Sequence, residues 1–187
     1  MRYKPDQKAE TRKKIIIESE RSFKKAGYSG IGVDGLAKAA GVTSGAFYGH
    51  FKSKEAAFKE AINSGMGGLF TAISELKQDA GEGWWAEFAT FYTHQKRTCD
   101  LTESCALQSL SPEVGRSNDE IRAIFEAELL KVFELANSNE QDAKKTWASL
   151  AMLIGGVTLA RAVKDDALAD QISKAVENEV IGLHENS

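Results

Sequence analysis

The sequence has 187 residues, 42% of them hydrophobic and 27% charged, with 24 basic against 27 acidic side chains and a formal charge of −3. That suits one compact unit or two small ones with a sizeable core. No apolar run approaches the ~20 residues of a membrane span, the start lacks the apolar core of a signal peptide, and two cysteines are too few for a disulfide scaffold. Membrane, secreted-miniprotein and disordered classes are excluded, and a reducing cytoplasm is the expected compartment.

Prolines occur only at Pro5 and Pro112, and no β-branched alternation lasts long enough for a strand. Nearly every long segment repeats at helical spacing, so the chain reads as all-α, with about nine helices. Thr11 is expected to cap a first helix that carries Ile15, Ile16, Ser19 and Phe23 on one face and stops at Gly27. Val33, Leu36, Ala37 and Ala40 form one apolar stripe on a short second helix that Gly41 ends. A third short helix is expected from about Thr43 to His50, and Ser53 caps a fourth that begins at Lys54. Further helices are expected near 66–78, 84–97, 117–137, 140–164 and 167–183. Gly81-Glu82-Gly83, Ser111-Pro112 and Asn137-Ser138-Asn139 mark the breaks.

The charge is uneven along this chain. Residues 1–60 hold 13 Lys and Arg against 7 Asp and Glu, and the remainder holds 11 against 20. A basic head on an acidic body suggests polyanion binding, although a solvated helix face has the same composition. The two short helices joined at Gly41 form a helix-turn-helix, a motif that lays its second helix in the DNA major groove. Phe47 and Phe51 then point together toward the second helix, leaving Ser44, Gly45, Tyr48 and Gly49 outward. Small residues let the backbone approach DNA closely, and Tyr48 offers a ring for a thymine methyl and a hydroxyl for a phosphate. Thr43 and Lys54 stand at helix starts, where unpaired N–H groups favour phosphates.

The run from Val33 to Glu55, with Thr11-Arg12, Ile15, Phe23 and Gly27-Tyr28 before it, closely resembles the N-terminal signature of the TetR family of bacterial transcriptional repressors. The resemblance is dense over about residues 9–60. It implies that Thr43, Ser44, Gly45 and Tyr48 face bases and phosphates, and that His50 and Lys54 hold backbone phosphates. Two positions depart from the family. Gly32 replaces a capping Ser or Thr on the second helix, and Gly49 has no side chain to read a base. Discrimination then rests on Ser44, Tyr48 and an N-terminal arm of Arg2, Lys4 and Lys8.

The resemblance also implies a division into a DNA-binding domain at 8–68 and an effector-binding and dimerisation domain at 69–187, joined through the fourth helix. From Trp147 to Val163 the chain is apolar nearly all round, which demands burial, and Gly155-Gly156 would be explained by close helix approach. With the following helix (Ile172, Val176, Val180, Ile181) it is expected to build a two-fold interface. The aromatics and polar groups of the body, Trp84, Trp85, Phe88, Phe91, Tyr92, His94, Gln95, Gln108, Phe125 and Trp147, are candidate contacts for a small apolar or aromatic effector. Each taken alone is as readily a core residue.

The expected function is thus a ligand-responsive, sequence-specific regulator, a homodimer on a pseudo-palindromic double-stranded operator, released by its effector. Cys99 and Cys105 admit a redox-responsive alternative, although Asp100 and Glu103 disfavour a thiolate there. An enzyme on a helical bundle is a further alternative, but no nucleophile–base pair, phosphate loop, metal-ligand spacing or cofactor motif supports it. A sequence-indifferent DNA-coating protein is permitted by the basic head and disfavoured by the acidic body.

Overall fold

The computed structural model describes residues 5–137 and 142–185. Arg2 and Lys4 of the expected arm, and part of the expected break at 137–139, lie outside them. Among the described residues the chain forms nine α-helices: α1 (Pro5–Ala26), α2 (Val33–Ala39), α3 (Ser44–Tyr48), α4 (Lys54–Ala80), α5 (Trp84–Phe91), α6 (Ala106–Val114), α7 (Asp119–Ala136), α8 (Ala143–Ala162) and α9 (Asp166–Glu185). A π-helical turn at Tyr92–Lys96 extends α5, and 3₁₀ turns lie at Gly81–Gly83 and Leu101–Glu103.

Several boundaries differ from the sequence expectation, each for a visible reason. Thr11 does not cap α1, which begins a turn and a half earlier; its hydroxyl instead donates to the Gln7 carbonyl at 2.8 Å, inside the helix. The third helix has five residues and not eight, because Gly49 and His50 close it as a turn. Ser111-Pro112 is no break: both lie in α6, a helix the sequence reading passed over. Ala106, Leu107, Leu110 and Val114 are all buried on it, and that burial outweighs one lost backbone bond near its end.

The chain divides into two compact units. The first joins Met1–Met66 to Leu101–Glu126, and the second joins Gly67–Asp100 to Ala127–Ser187. The first unit thus takes in the stretch carrying α6 and the start of α7 together with α1 to α3.

In the first unit Ile15, Phe23, Leu36, Phe47, Phe58 and Ile62 are wholly buried. Phe23, Tyr28 and Phe58 form an aromatic cluster with ring centroids 4.9 to 5.9 Å apart. The returning segment is tied on by ion pairs from Arg21 to Glu103 (2.9 Å) and from Lys59 to Glu120 (2.7 Å). Gly65 lets α4 approach α6, since a side chain there would collide with the Ala106 methyl.

In the second unit α5, α8 and α9 enclose Phe88, Leu150, Leu153, Val157 and Val180. A Cβ on Gly156 would stand 2.5 Å from Val176 Cγ2, so glycine sets the spacing of α8 and α9. The Arg161 guanidinium, on α8, donates to the carbonyls of Lys96 (2.6 Å), Arg97 (2.8 Å) and Cys99 (2.9 Å), capping the end of the π-helical segment. None of the helices, over the described residues, is long and apolar enough to cross a membrane.

Candidate nucleic-acid interface

The helix-turn-helix is fixed by a backbone conformation and a cap. Gly41 takes φ +67, the left-handed region that L side chains rarely enter, and its N–H reaches the Lys38 carbonyl at 3.0 Å. The chain then runs to Thr43, whose extended backbone and Oγ1, accepting from the Ala46 N–H at 3.1 Å, start α3. From behind, Phe47 and Phe51 pack tilted at 5.6 Å between ring centroids, 0% and 3% exposed. Two rings anchored in the core leave a five-residue helix no freedom to roll.

On the other side Thr43, Gly45, Ala46, Tyr48 and Gly49 are exposed, Tyr48 to 55%. A Cβ on Gly45 would meet only Thr43 Oγ1, at 3.9 Å, so that flank stays open. Ser44 is held: its hydroxyl donates to the Asp34 carboxylate at 2.5 Å, which orients the oxygen and occupies its proton. Sequence reasoning missed Asp34 as that partner and Ala46 as part of the open face.

His50 and Lys54 sit differently from one another. The His50 imidazole is half-buried with an unpartnered Nδ1, and burial, followed by repulsion from Lys8 and Arg12, holds its pKa below the ordinary histidine value. Lys54 turns inward: its ammonium donates to the carbonyls of Tyr28 (2.9 Å) and Ile31 (3.2 Å) and lies 4.2 Å from the Tyr28 ring centroid. It fastens the loop that leads into α2. The α4 start still offers N–H groups, one of them bonded to the Ser53 hydroxyl at 3.1 Å. Gly32 caps α2 with no side-chain bond.

Beside α3 lies a groove of about 490 Å³, walled by Lys8, Thr11 and Lys14 of α1 and closed by Gly41, Gly49 and His50. Of its two lysines, the sequence pattern singles out Lys8 and gives no signal for Lys14.

The candidate effector contacts separate into groups. Trp84, Trp85, Phe88, Phe91, Tyr92, His94 and Gln95 follow one another on α5 and the π-helical turn. Trp84, Trp85, Phe88 and Tyr92 are buried, 1% to 4% exposed, and Trp85 stacks on the His184 ring at 4.3 Å. His184 is itself bonded to Ser149 Oγ at 2.9 Å. His94 is exposed and meets Glu177 at 3.2 Å. Trp147, 39% exposed, stacks on Phe133 at 4.2 Å. Gln108 and Phe125 belong to the other compact unit, where the Gln108 Oε1 is buried without a partner.

Residues 15–61 match the family model described as bacterial regulatory proteins, tetR family. The chain is similar to the HTH-type transcriptional repressor DhaR of Mycobacterium sp. (strain GP1), 29% identical over 123 residues, which are 66% of this chain and 60% of that protein. It therefore spans less than two thirds of that relative. Among solved structures it resembles a TetR-family transcriptional regulator from Cytophaga hutchinsonii, with a TM-score of 0.77 at 20% identity over 97% of this chain and 98% of that one. The reduced form of NemR from E. coli superposes with a TM-score of 0.74 at 20% identity, over 90% and 96% of the two chains. At such identities the likeness is one of fold.

Proposed function

The chain belongs to the TetR family of bacterial regulatory proteins, and on that premise we propose that it is a ligand-responsive transcriptional repressor that binds its operator as a homodimer. The observation that carries this reading is the open face of α3, where Gly45 and Tyr48 stand exposed on a helix that Phe47 and Phe51 hold rigidly from behind. Tyr48, Gly45 and Thr43 contact the major groove and its phosphates, and His50 holds a phosphate at its edge. Ser44, with its proton committed to Asp34, serves as an acceptor. Lys54 acts through the loop it fastens, and only its backbone N–H faces DNA.

Dimerisation is assigned to the outer face of α8. Ala148, Ala151, Gly155 and Leu159 recur there at helical spacing and are exposed, Leu159 to 61%, and Leu168 of α9 is 43% exposed. Exposed apolar residues in such a row favour a second copy of the chain. The effector is an apolar or aromatic small molecule held among the α5 aromatics, and its differential affinity for two spacings of the paired heads releases the operator.

The test is selection of duplexes from random DNA by the full chain, followed by anisotropy with the enriched sequence for wild type and Tyr48→Ala. A palindromic sequence bound by wild type and lost on substitution supports the reading. Enrichment of no sequence sinks it.

A further inference from the structure

The groove beside α3 is walled by a helix that the recognition of bases does not require. Lys8, Thr11 and Lys14 fall on one side of α1 at spacings of three, the positions of a single helical flank. Lys8 and Lys14 are exposed, and neither ammonium is engaged in an ion pair among the described residues; Lys13 and Lys25 of the same helix are also exposed and unpaired but do not line the groove. The Lys14 Nζ lies 3.3 Å from where a Cβ on Gly41 would stand, so the absence of a side chain at the turn keeps this cation in the groove. His50 lines the same groove, and no carboxylate does. Two unpaired cations around an open concavity free of carboxylates describe a seat for an oxyanion.

We propose that this groove seats backbone phosphates of the operator strand that flanks α3, with Lys8 and Lys14 of α1 as their counter-charges. The proposal rests on the DNA-binding reading and extends it, since family resemblance assigns a phosphate to His50 and none to Lys14. In this arrangement α1 is part of the interface. It fixes the angle at which α3 enters the groove, because phosphates held on α1 and bases met on α3 belong to one rigid unit. These contacts carry no sequence information, so they contribute equally to operator and to unrelated DNA.

That equality makes the test independent of the operator. Anisotropy of a fluorescent mixed-sequence duplex is measured with the full chain across a salt series, for wild type, Lys8→Ala, Lys14→Ala and Lys25→Ala, the last an exposed α1 lysine outside the groove. Each groove substitution is expected to flatten the slope of log K against log salt by about 0.9, the release of one phosphate's counterions. Lys25→Ala is expected to leave the slope unchanged. All three residues are exposed, so thermal melts matching wild type confirm folding. Equal flattening by Lys25→Ala, or slopes unmoved by the groove variants, overturns the groove while DNA binding stands. A wild type that binds no duplex at low salt overturns the DNA-binding reading, and the groove falls with it.

Discussion

In the first unit Gly41 turns the chain between α2 and α3, and Gly45 and Gly49 leave the far side of α3 bare. In the second, Gly156 lies against Val176 while its neighbour Gly155 meets nothing. The same residue type thus opens one surface and closes one gap. What differs is the face on which it sits: glycine on a buried helix face is a packing device, and on an exposed face it is room kept for something else. The helix-turn-helix combines the two uses, since its open face works only if the buried face is rigid.

The largest effect that tests this contrast comes from the rigid face. Phe47→Ala removes a fully buried ring and is expected to destabilise the first unit by about 3–5 kcal/mol. Urea denaturation followed by circular dichroism measures it, and DNA binding is expected to fall with it. Tyr48→Ala, one residue on, is expected to leave the urea midpoint in place and still abolish specific binding. Equal destabilisation by both substitutions would mean that α3 has no separate inner and outer face.

Next in size is the glycine pair of α8. Gly156→Ala brings a methyl against Val176 and is expected to cost about 1–3 kcal/mol by overpacking. Gly155→Ala meets open space and removes the helix penalty of glycine, a gain of about 1 kcal/mol. The two midpoints should move in opposite directions. If Gly155→Ala destabilises the protein instead, and its dimer weakens in sedimentation, then Gly155 too is a close-contact residue, with the contact made by a second copy.

The helix-turn-helix was legible because its signals are local: a stripe at i, i+3, i+4 and i+7, a glycine at the turn, and a threonine cap, all within a dozen residues. The placement of α6 was not legible, since Gly65 meets Ala106 and Arg21 meets Glu103 across separations that leave no periodic trace. Pro112 even argued against the helix there, and only burial of Leu107, Leu110 and Val114 explains it. The Lys54 side chain is a related case. Its position at a helix start points to a phosphate at the backbone N–H groups, whereas the carbonyls of Tyr28 and Ile31, more than twenty residues away, hold its ammonium. Composition alone groups the aromatic candidates, and it does not distinguish the α5 rings from Phe125 in the other unit.

A weaker probe is pH. Each unit holds one histidine whose folded-state pKa is lowered, His50 mainly by burial and then Lys8 and Arg12, His184 mainly by burial and then Lys145. The unfolded chain binds these protons near the ordinary histidine value of about 6.5, so stability is complete above that pH and is lost as pH falls below it. Melting temperature is expected to decline from pH 7 toward pH 5.5, before carboxylates titrate. His50→Gln and His184→Gln should each remove part of that decline. For DNA binding the sign reverses: a phosphate beside His50 favours the imidazolium, so affinity is expected to rise as pH falls, and His50→Gln should abolish the rise.

The smallest effect compares three helix starts in the head. Thr43 and Ser53 each accept an N–H at 3.1 Å to begin α3 and α4, and Gly32 begins α2 with no such bond. Its backbone is already extended, at φ −97 and ψ 174, and a Cβ there would meet nothing within 4 Å. Gly32→Ser therefore needs no rearrangement to form the missing cap and is expected to stabilise by a few tenths of a kcal/mol, roughly the margin between serine and glycine caps. A raised urea midpoint with an unchanged slope checks it. A lowered midpoint would mean that the bare N-terminus of α2 is itself part of the open surface, and that glycine stands at position 32 for the reason it stands at 45.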